Sequence, residues 1–325
     1  MGYPTQGGTL ARLEAETRKA GRAHEDACLD LLAASWGRTK DGLRGLVMNE
    51  YRRKWGGRTW TLPGSGQVLA MIYHLSGGTL TQFYHEARAI IEKSVRESYR
   101  LEALRQVWML DMLTPPSYKP KIPARALREA GAQNYAVSWE QALGEWIRAY
   151  QSNFMTNLRL EALHEGGMDD AAGEVDAAKI DGFDPGYKFS SALTNQILQA
   201  QSEARGDVAD SNDDIVAEEI FQTMEDERVC EDCDSMDGQP VEDAEPIPVH
   251  FNCRCFQRIV PSDFAELLRN GTDEEKQAAL DADARGLVPD SMAIYDPETH
   301  QLKAHIHVFF DAWAQQQDIS ISGGE

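Results

Sequence analysis

Five side chains in the second half of the chain have the types and spacing to hold a metal. They are Cys230, Cys233, His250, Cys253 and Cys255, in the pattern C-x2-C-x16-H-x2-C-x-C. Four of the five cysteines in the chain fall within these 26 positions. Zn²⁺ takes thiolate and imidazole donors in a tetrahedron. A C-x-x-C step offers two sulfurs from one tight turn. A second group, returned by a connection of this length, closes the site as in a zinc ribbon or knuckle. In an extended segment Cys253 and Cys255 face the same way, so either or both can bind. Five donors thus compete for four positions, and spacing does not choose among them. Asp237-Gly238 sits where the connection must reverse, as in a hairpin turn. The same cysteines are also compatible with disulfides in an oxidised particle, or with reduced, metal-free thiols. Thiol catalysis is disfavoured because no base with an orienting partner accompanies the sulfurs. A closed tetrahedral site has no open position for substrate, so zinc here implies a scaffold. In a segment with few apolar residues the metal supplies folding energy that a core cannot.

Other motifs carry less chemistry. His85-Glu86 opens HEARA, which lacks the second histidine of HExxH and so cannot bring two imidazoles to one metal. His24 and Cys28 are four apart on an expected helix, with no orienting acid, and read as a surface pair. The glycines of GGRTWTLPGSGQ have no following GK[ST] and read as a turn. His305 and His307 share one face of an expected strand and are read as exposed side chains, although the pair has metal-binding capacity.

The elements that position these residues are mostly helical. From Leu80 the series Tyr84, Ala87, Ile91, Val95, Leu101, Leu104, Trp108 and Met112 predicts one helix of about 30 residues, N-capped by Thr79 after Gly77-Gly78. Four prolines within TPPSYKPKIP must end it. Leu143, Ile147, Tyr150, Phe154 and Leu158 form a second stripe ending at Gly166-Gly167. A further helix is expected over 189–205, then an acidic turn over 206–214, then a short helix DIVAEEIFQTM. Beyond Cys255, two short helices starting near Pro261 and Ser262 are expected, then a hairpin over MAIYDPETHQLKAHIHVFF. The fold class is mainly α: a multi-helix body, a small β-hairpin, zinc-ribbon-like Cys/His module, and a short α+β C-terminal tail. The expected divisions are 1–120, 121–205, 206–260 and 261–325.

Charge is unevenly distributed along the 325 residues. Residues 1–160 carry 22 Lys and Arg against 15 Asp and Glu, whereas residues 161–325 carry 10 against 38. The acidic half is repelled by phosphate, which disfavours DNA binding by the whole chain, while the first half can meet DNA or an acidic protein. No apolar run is long enough to span a bilayer, and the start lacks the layout of a secretory signal. A reducing cytosol is the expected site of synthesis, where disulfides are rare.

The run Asp226-Glu227-Arg228-Val229-Cys230-x-x-Cys233, then Asp237-Gly238, then Pro248-x-His250-x-Asn252-Cys253-Arg254-Cys255 resembles the signature of phage Mu protein F-like minor head proteins. Phe221 stands where that family often has Trp, Thr223 matches a common Thr, and Phe251 replaces the usual Pro. The resemblance covers about 215–257 and extends to the helices from about 125. It implies a non-enzymatic minor capsid protein that enters the prohead with the portal and stays inside the phage head, after assembly in the host cytoplasm. Its implied partners are the portal protein and/or the major capsid or scaffold proteins; the charge of the N-terminal half allows contact with packaged DNA, and no membrane contact is expected. Asp226 and Arg228 would stabilise the loop. Two other functions compete: a phage effector or toxin-type enzyme fused to such a module, and a zinc module that binds nucleic acid. About 70 residues after Cys255 are few for a catalytic domain, and acidic residues outnumber Arg228, Arg254 and Arg258 around the cysteines.

Overall fold

The computed structural model describes the backbone of residues 6–56, 62–113, 119–127, 138–164, 166–178, 185–223, 229–244, 246–247, 249–250, 253, 255–261 and 306–319. Helices dominate these residues: α1 (Gln6–Trp55), α2 (Leu62–Leu113), α3 (Ala124–Leu127), α4 (Ser138–Leu163), α5 (Met168–Ala177), α6 (Pro185–Ser211), α7 (Glu231–Met236) and α8 (Ile306–Gln316). Two strands, β1 (Val216–Gln222) and β2 (Phe256–Pro261), form one antiparallel sheet. No helix among the described residues is long and apolar enough to cross a membrane.

The chain divides into two compact units, each discontinuous in sequence. The first gathers residues 1–25, 95–133 and 195–325, and the second gathers 26–94 and 134–194. The basic excess of the first 160 residues is therefore not one body. The second unit carries 13 Lys and Arg against 16 Asp and Glu, and the first 19 against 37.

The second unit packs its parts of α1 and α2 with α4 and α5. Leu32, Trp36, Leu43, Val47 and Tyr51 recur along α1 at helical spacing and are buried. All five residues of the expected α4 stripe are buried as well. Trp36 lies 4.9 Å from both Phe83 and Tyr150, centroid to centroid, edge-on to the latter. The Tyr150 hydroxyl donates to the Val175 carbonyl at 2.7 Å, fixing α5 on α4. Asp176 pairs with Lys40 at 3.3 Å and with Arg44. The Arg44 guanidinium, mainly by hydrogen bonding, holds that carboxyl below its ordinary range. Glu86 of the HEARA run has a structural role, accepting from the Ser35 hydroxyl at 2.8 Å, which lowers its pKa.

In the first unit Trp108, Leu104 and Tyr99 of α2 are buried, as are Ile197, Ala200, Ala204 and Val208 of α6. The segment after the proline run is held on α6 by Asn212, whose Oδ1 accepts from Lys121 N–H at 2.6 Å and whose Nδ2 donates to Lys121 O at 2.9 Å. The α8 residues Phe310, Trp313 and Ala314 are buried, and Trp313 Nε1 donates to Asp111 at 3.0 Å.

Several expectations are corrected. The helix expected to begin at Thr79 is already under way, because α2 runs through Gly77-Gly78. Each interior glycine costs about 1 kcal/mol relative to alanine. Here α4 packs against the break: Gln151 Nε2 donates to Tyr73 O at 2.9 Å and Ser76 Oγ at 3.0 Å. Phe83, not Tyr84, is the buried member of that stripe. Helix α6 continues to Ser211, through most of the expected acidic turn. The expected short helix from 214 is instead β1, since VAEEIFQ pairs with residues 256–261 rather than coiling locally. Ile306 and Val308 belong to a helix, not a hairpin strand, because Phe310, Trp313 and Ala314 bury one face at i, i+3, i+4 spacing. His307 therefore lies in α8, while His305, the two short helices from 262 and the rest of the expected hairpin fall outside the described residues.

Candidate metal centre

All five sequence candidates converge. Their donor atoms form two groups joined at Cys233: Cys230, Cys233 and His250, and Cys233, Cys253 and Cys255. Within each group the donors lie no more than 4.8 Å apart. Either group can hold a metal ion, and the site is built from three local devices.

The first device is the C-x-x-C step. Cys230 is the N-cap of α7: its sulfur accepts the Cys233 N–H at 3.4 Å and its carbonyl accepts from Asp234 N–H at 2.9 Å. One helical turn therefore places Cys230 and Cys233 side by side. The second device is the turn at Asp237-Gly238. Gly238 has φ of +75°, a conformation that favours glycine. Its N–H donates to Phe221 O at 2.8 Å, while Phe221 N–H donates to Gln239 O at 2.8 Å. Asp237 Oδ1 accepts from Thr223 N–H at 2.7 Å and from Gln222 Nε2 at 3.1 Å. The turn is thus laced onto the end of β1. The third device is β2, which begins directly after Cys255 and pairs Phe256 with Gln222. Antiparallel pairing across the whole cysteine segment returns Cys253 and Cys255 to Cys233. This corrects the expected hairpin: its strands flank the segment rather than lie within it.

The sulfurs sit in an apolar pocket. Phe221 is fully buried against Cys233, Cys253 and Cys255, with Val229, Met236, Ala244, Ile247 and Val249 packed around them. Outside it, the exposed His250 ring places Nε2 3.2 Å from both Cys230 and Cys233 sulfurs.

The electrostatics separate the thiols. Backbone N–H donation from Cys233 leads the effects that lower the Cys230 pKa. Cys253, hydrogen-bonded by the Cys255 thiol and by backbone amides, is held down to about 5. Burial pushes Cys233 up to about 12, and donation toward Cys253 leaves Cys255 strongly raised. The surroundings thus draw Cys230 and Cys253 toward the thiolate and hold Cys233 and Cys255 toward the thiol. A divalent metal removes that imbalance, since bound cysteine is deprotonated. Two sulfurs bound to one tetrahedral zinc lie about 3.8 Å apart, given bonds of about 2.3 Å. That separation falls inside the 4.8 Å within which the donors of each group lie. The donor chemistry and the spacing fit a metal.

Asp226 and Arg228, the loop partners that the resemblance implies, lie outside the described residues. Two contributors had weaker sequence signals. Asp237 shows only as half of a turn dipeptide, yet it caps the end of β1. Arg205 on α6 carries no motif: its Nη1 donates to Gln257 O at 2.6 Å, and its Nε and Nη2 bind Glu102 at 2.7 and 2.6 Å. The guanidinium also stands 5.1 Å over the Phe256 ring. It ties the strand that follows Cys255 to α2 and α6.

Comparison with family models, curated proteins and solved structures gave no match.

Proposed function

We propose that the chain is a minor head protein of a tailed bacteriophage that acts without catalysis. In this reading it joins the prohead with the portal and stays in the particle. A structural zinc, held by four of Cys230, Cys233, His250, Cys253 and Cys255, gives the module its shape. The observation that carries the proposal is the convergence of all five donors of the Mu F-like motif around Cys233. Zinc is favoured over other ions because sulfur and imidazole donors suit it, while Mg²⁺ and Ca²⁺ require oxygen. The metal has a mechanical role, joining the C-x-x-C turn to the strand after Cys255.

Neither unit is net basic. The proposed partner is therefore the portal or another shell protein, in preference to packaged DNA.

Two measurements test this. Elemental analysis and thiol titration of the purified chain should find about one zinc, with thiols protected until a chelator is added. Mass spectrometry of particles made from the encoding genome should find the chain in the head fraction at low copy. Its absence from particles ends the head-protein proposal; unprotected thiols without metal end the zinc proposal.

A further inference from the structure

The four cysteines of the candidate metal centre are not equally reachable from solvent. Cys233, Cys253 and Cys255 are buried against Phe221, whereas Cys230 is only partly buried at the edge of that cluster. Thiol exchange depends on access, so a dissolved oxidant meets Cys230 first. The Cys230 sulfur also accepts the Cys233 N–H at 3.4 Å. Such a donor supports the thiolate, which is the reacting form of cysteine.

The geometry also selects the second sulfur. Among the described donors Cys230 shares a group with Cys233, no more than 4.8 Å away, and with neither Cys253 nor Cys255. Glu231 and Asp232 between them are helical, which sets the Cα atoms of Cys230 and Cys233 about 5 Å apart. A disulfide spans Cα separations of about 4.4–6.8 Å. Closing one here turns side chains and leaves the backbone in place. Cys233 belongs to both donor groups, so linking it to Cys230 leaves neither group with three donors. A sulfur in a disulfide is no longer the thiolate that a metal requires.

We propose that Cys230 and Cys233 form an oxidation site for disulfide oxidants of the glutathione class, and that its closure releases the metal. The Cys230 thiolate attacks one sulfur of glutathione disulfide, forming a mixed disulfide and expelling one glutathione thiolate. The Cys233 thiolate then attacks the Cys230 sulfur, and the second glutathione thiolate leaves. Two cysteine thiolates are oxidised, one glutathione disulfide is reduced, and the ion departs as Zn²⁺. Release of the ion rests on the metal proposal above, while the disulfide rests on the placement of the two sulfurs. The module is thereby clipped by metal in a reducing compartment and by a disulfide in an oxidising one.

Treating the zinc-loaded full chain with excess glutathione disulfide tests the site, read by peptide mapping of disulfides and a colorimetric count of free zinc. A Cys230–Cys233 link with about one zinc freed per link is expected. A link that joins other cysteines, thiols that stay reduced, or a link formed without zinc release overturns the proposal. A purified chain that carries no zinc ends the metal proposal, and the disulfide map then judges the oxidation site by itself. Cys230→Ser should leave Cys233, Cys253 and Cys255 reduced over the same time course; oxidation at the wild-type rate refutes Cys230 as the point of entry. Should that variant fail to fold, the wild-type map decides.

Discussion

Replacing Arg205 with methionine tests how the helical body holds the candidate metal centre. The side chains of Arg205 and Glu102 are 4% and 3% exposed, and the guanidinium makes two bonds to Glu102 and one to Gln257 O. Removing one partner of a buried ion pair costs about 3–5 kcal/mol, because the other charge stays buried. Glu102 would keep one donor, Gln106 Nε2 at 2.9 Å, and the attraction of Arg105, whose own pKa is lowered chiefly by burial. These residual partners place the Glu102 contribution near 3 kcal/mol. The orphaned Gln257 carbonyl adds about 1–3 kcal/mol. The expected loss is about 4–6 kcal/mol, read as a shift in urea unfolding of the zinc-loaded chain. Hydrogen exchange over 200–211 should rise with it, which assigns the loss to the first unit. Replacing Glu102 with methionine as well removes the stranded charge and should restore about 3 kcal/mol. A single variant costing under about 1 kcal/mol, or a double variant no more stable than the single, would refute the coupling.

Other consequences are open to measurement. Glu219 is pushed up to about 7, mainly by burial and then by Asp210. Because the folded state binds this proton more tightly, its contribution is full at low pH and is lost as pH rises from about 4.5 through about 7. Glu219→Gln should flatten that decline, and a pH–stability curve that keeps its slope contradicts the burial argument. Cys233 belongs to both donor triads, so Cys233→Ser should reduce bound metal to near zero; full retention by elemental analysis excludes it as a ligand. Phe221→Ala empties the wall behind three sulfurs, with an expected cost of about 3–5 kcal/mol. Circular dichroism melts showing no change would remove Phe221 from the core of the module.

The α4 stripe was legible because Leu143, Ile147, Tyr150, Phe154 and Leu158 all face one core, and the stop at the proline run because proline lacks a donor. The five metal candidates were legible because thiols and imidazole at short spacing have few other uses. What escaped depends on distant partners. Gly77-Gly78 reads as a break until Gln151 is seen packing beside it. The sequence VAEEIFQ has helix-forming residues, and only its pairing with 256–261 makes it a strand. In IHVFFDAWAQQ, alternation at the start suggested a strand, whereas Phe310, Trp313 and Ala314 follow the helical period. Arg205 and Glu102 are 103 positions apart, and no local pattern announces that they meet.

The antiparallel pairing of Gln222 with Phe256 has a topological consequence. Partners across such a ladder lie about 5 Å apart, so residues 223–255 leave the body and re-enter it at nearly one point. The metal module is therefore an excursion that starts and ends at one place on the sheet, with Phe221 of β1 closing its core. A short turn joining β1 to β2 would close the same gap without redirecting either strand. Insertions or transplants within 223–255 would leave the helical body's chain path unaltered, giving evolution and engineering the same place to cut.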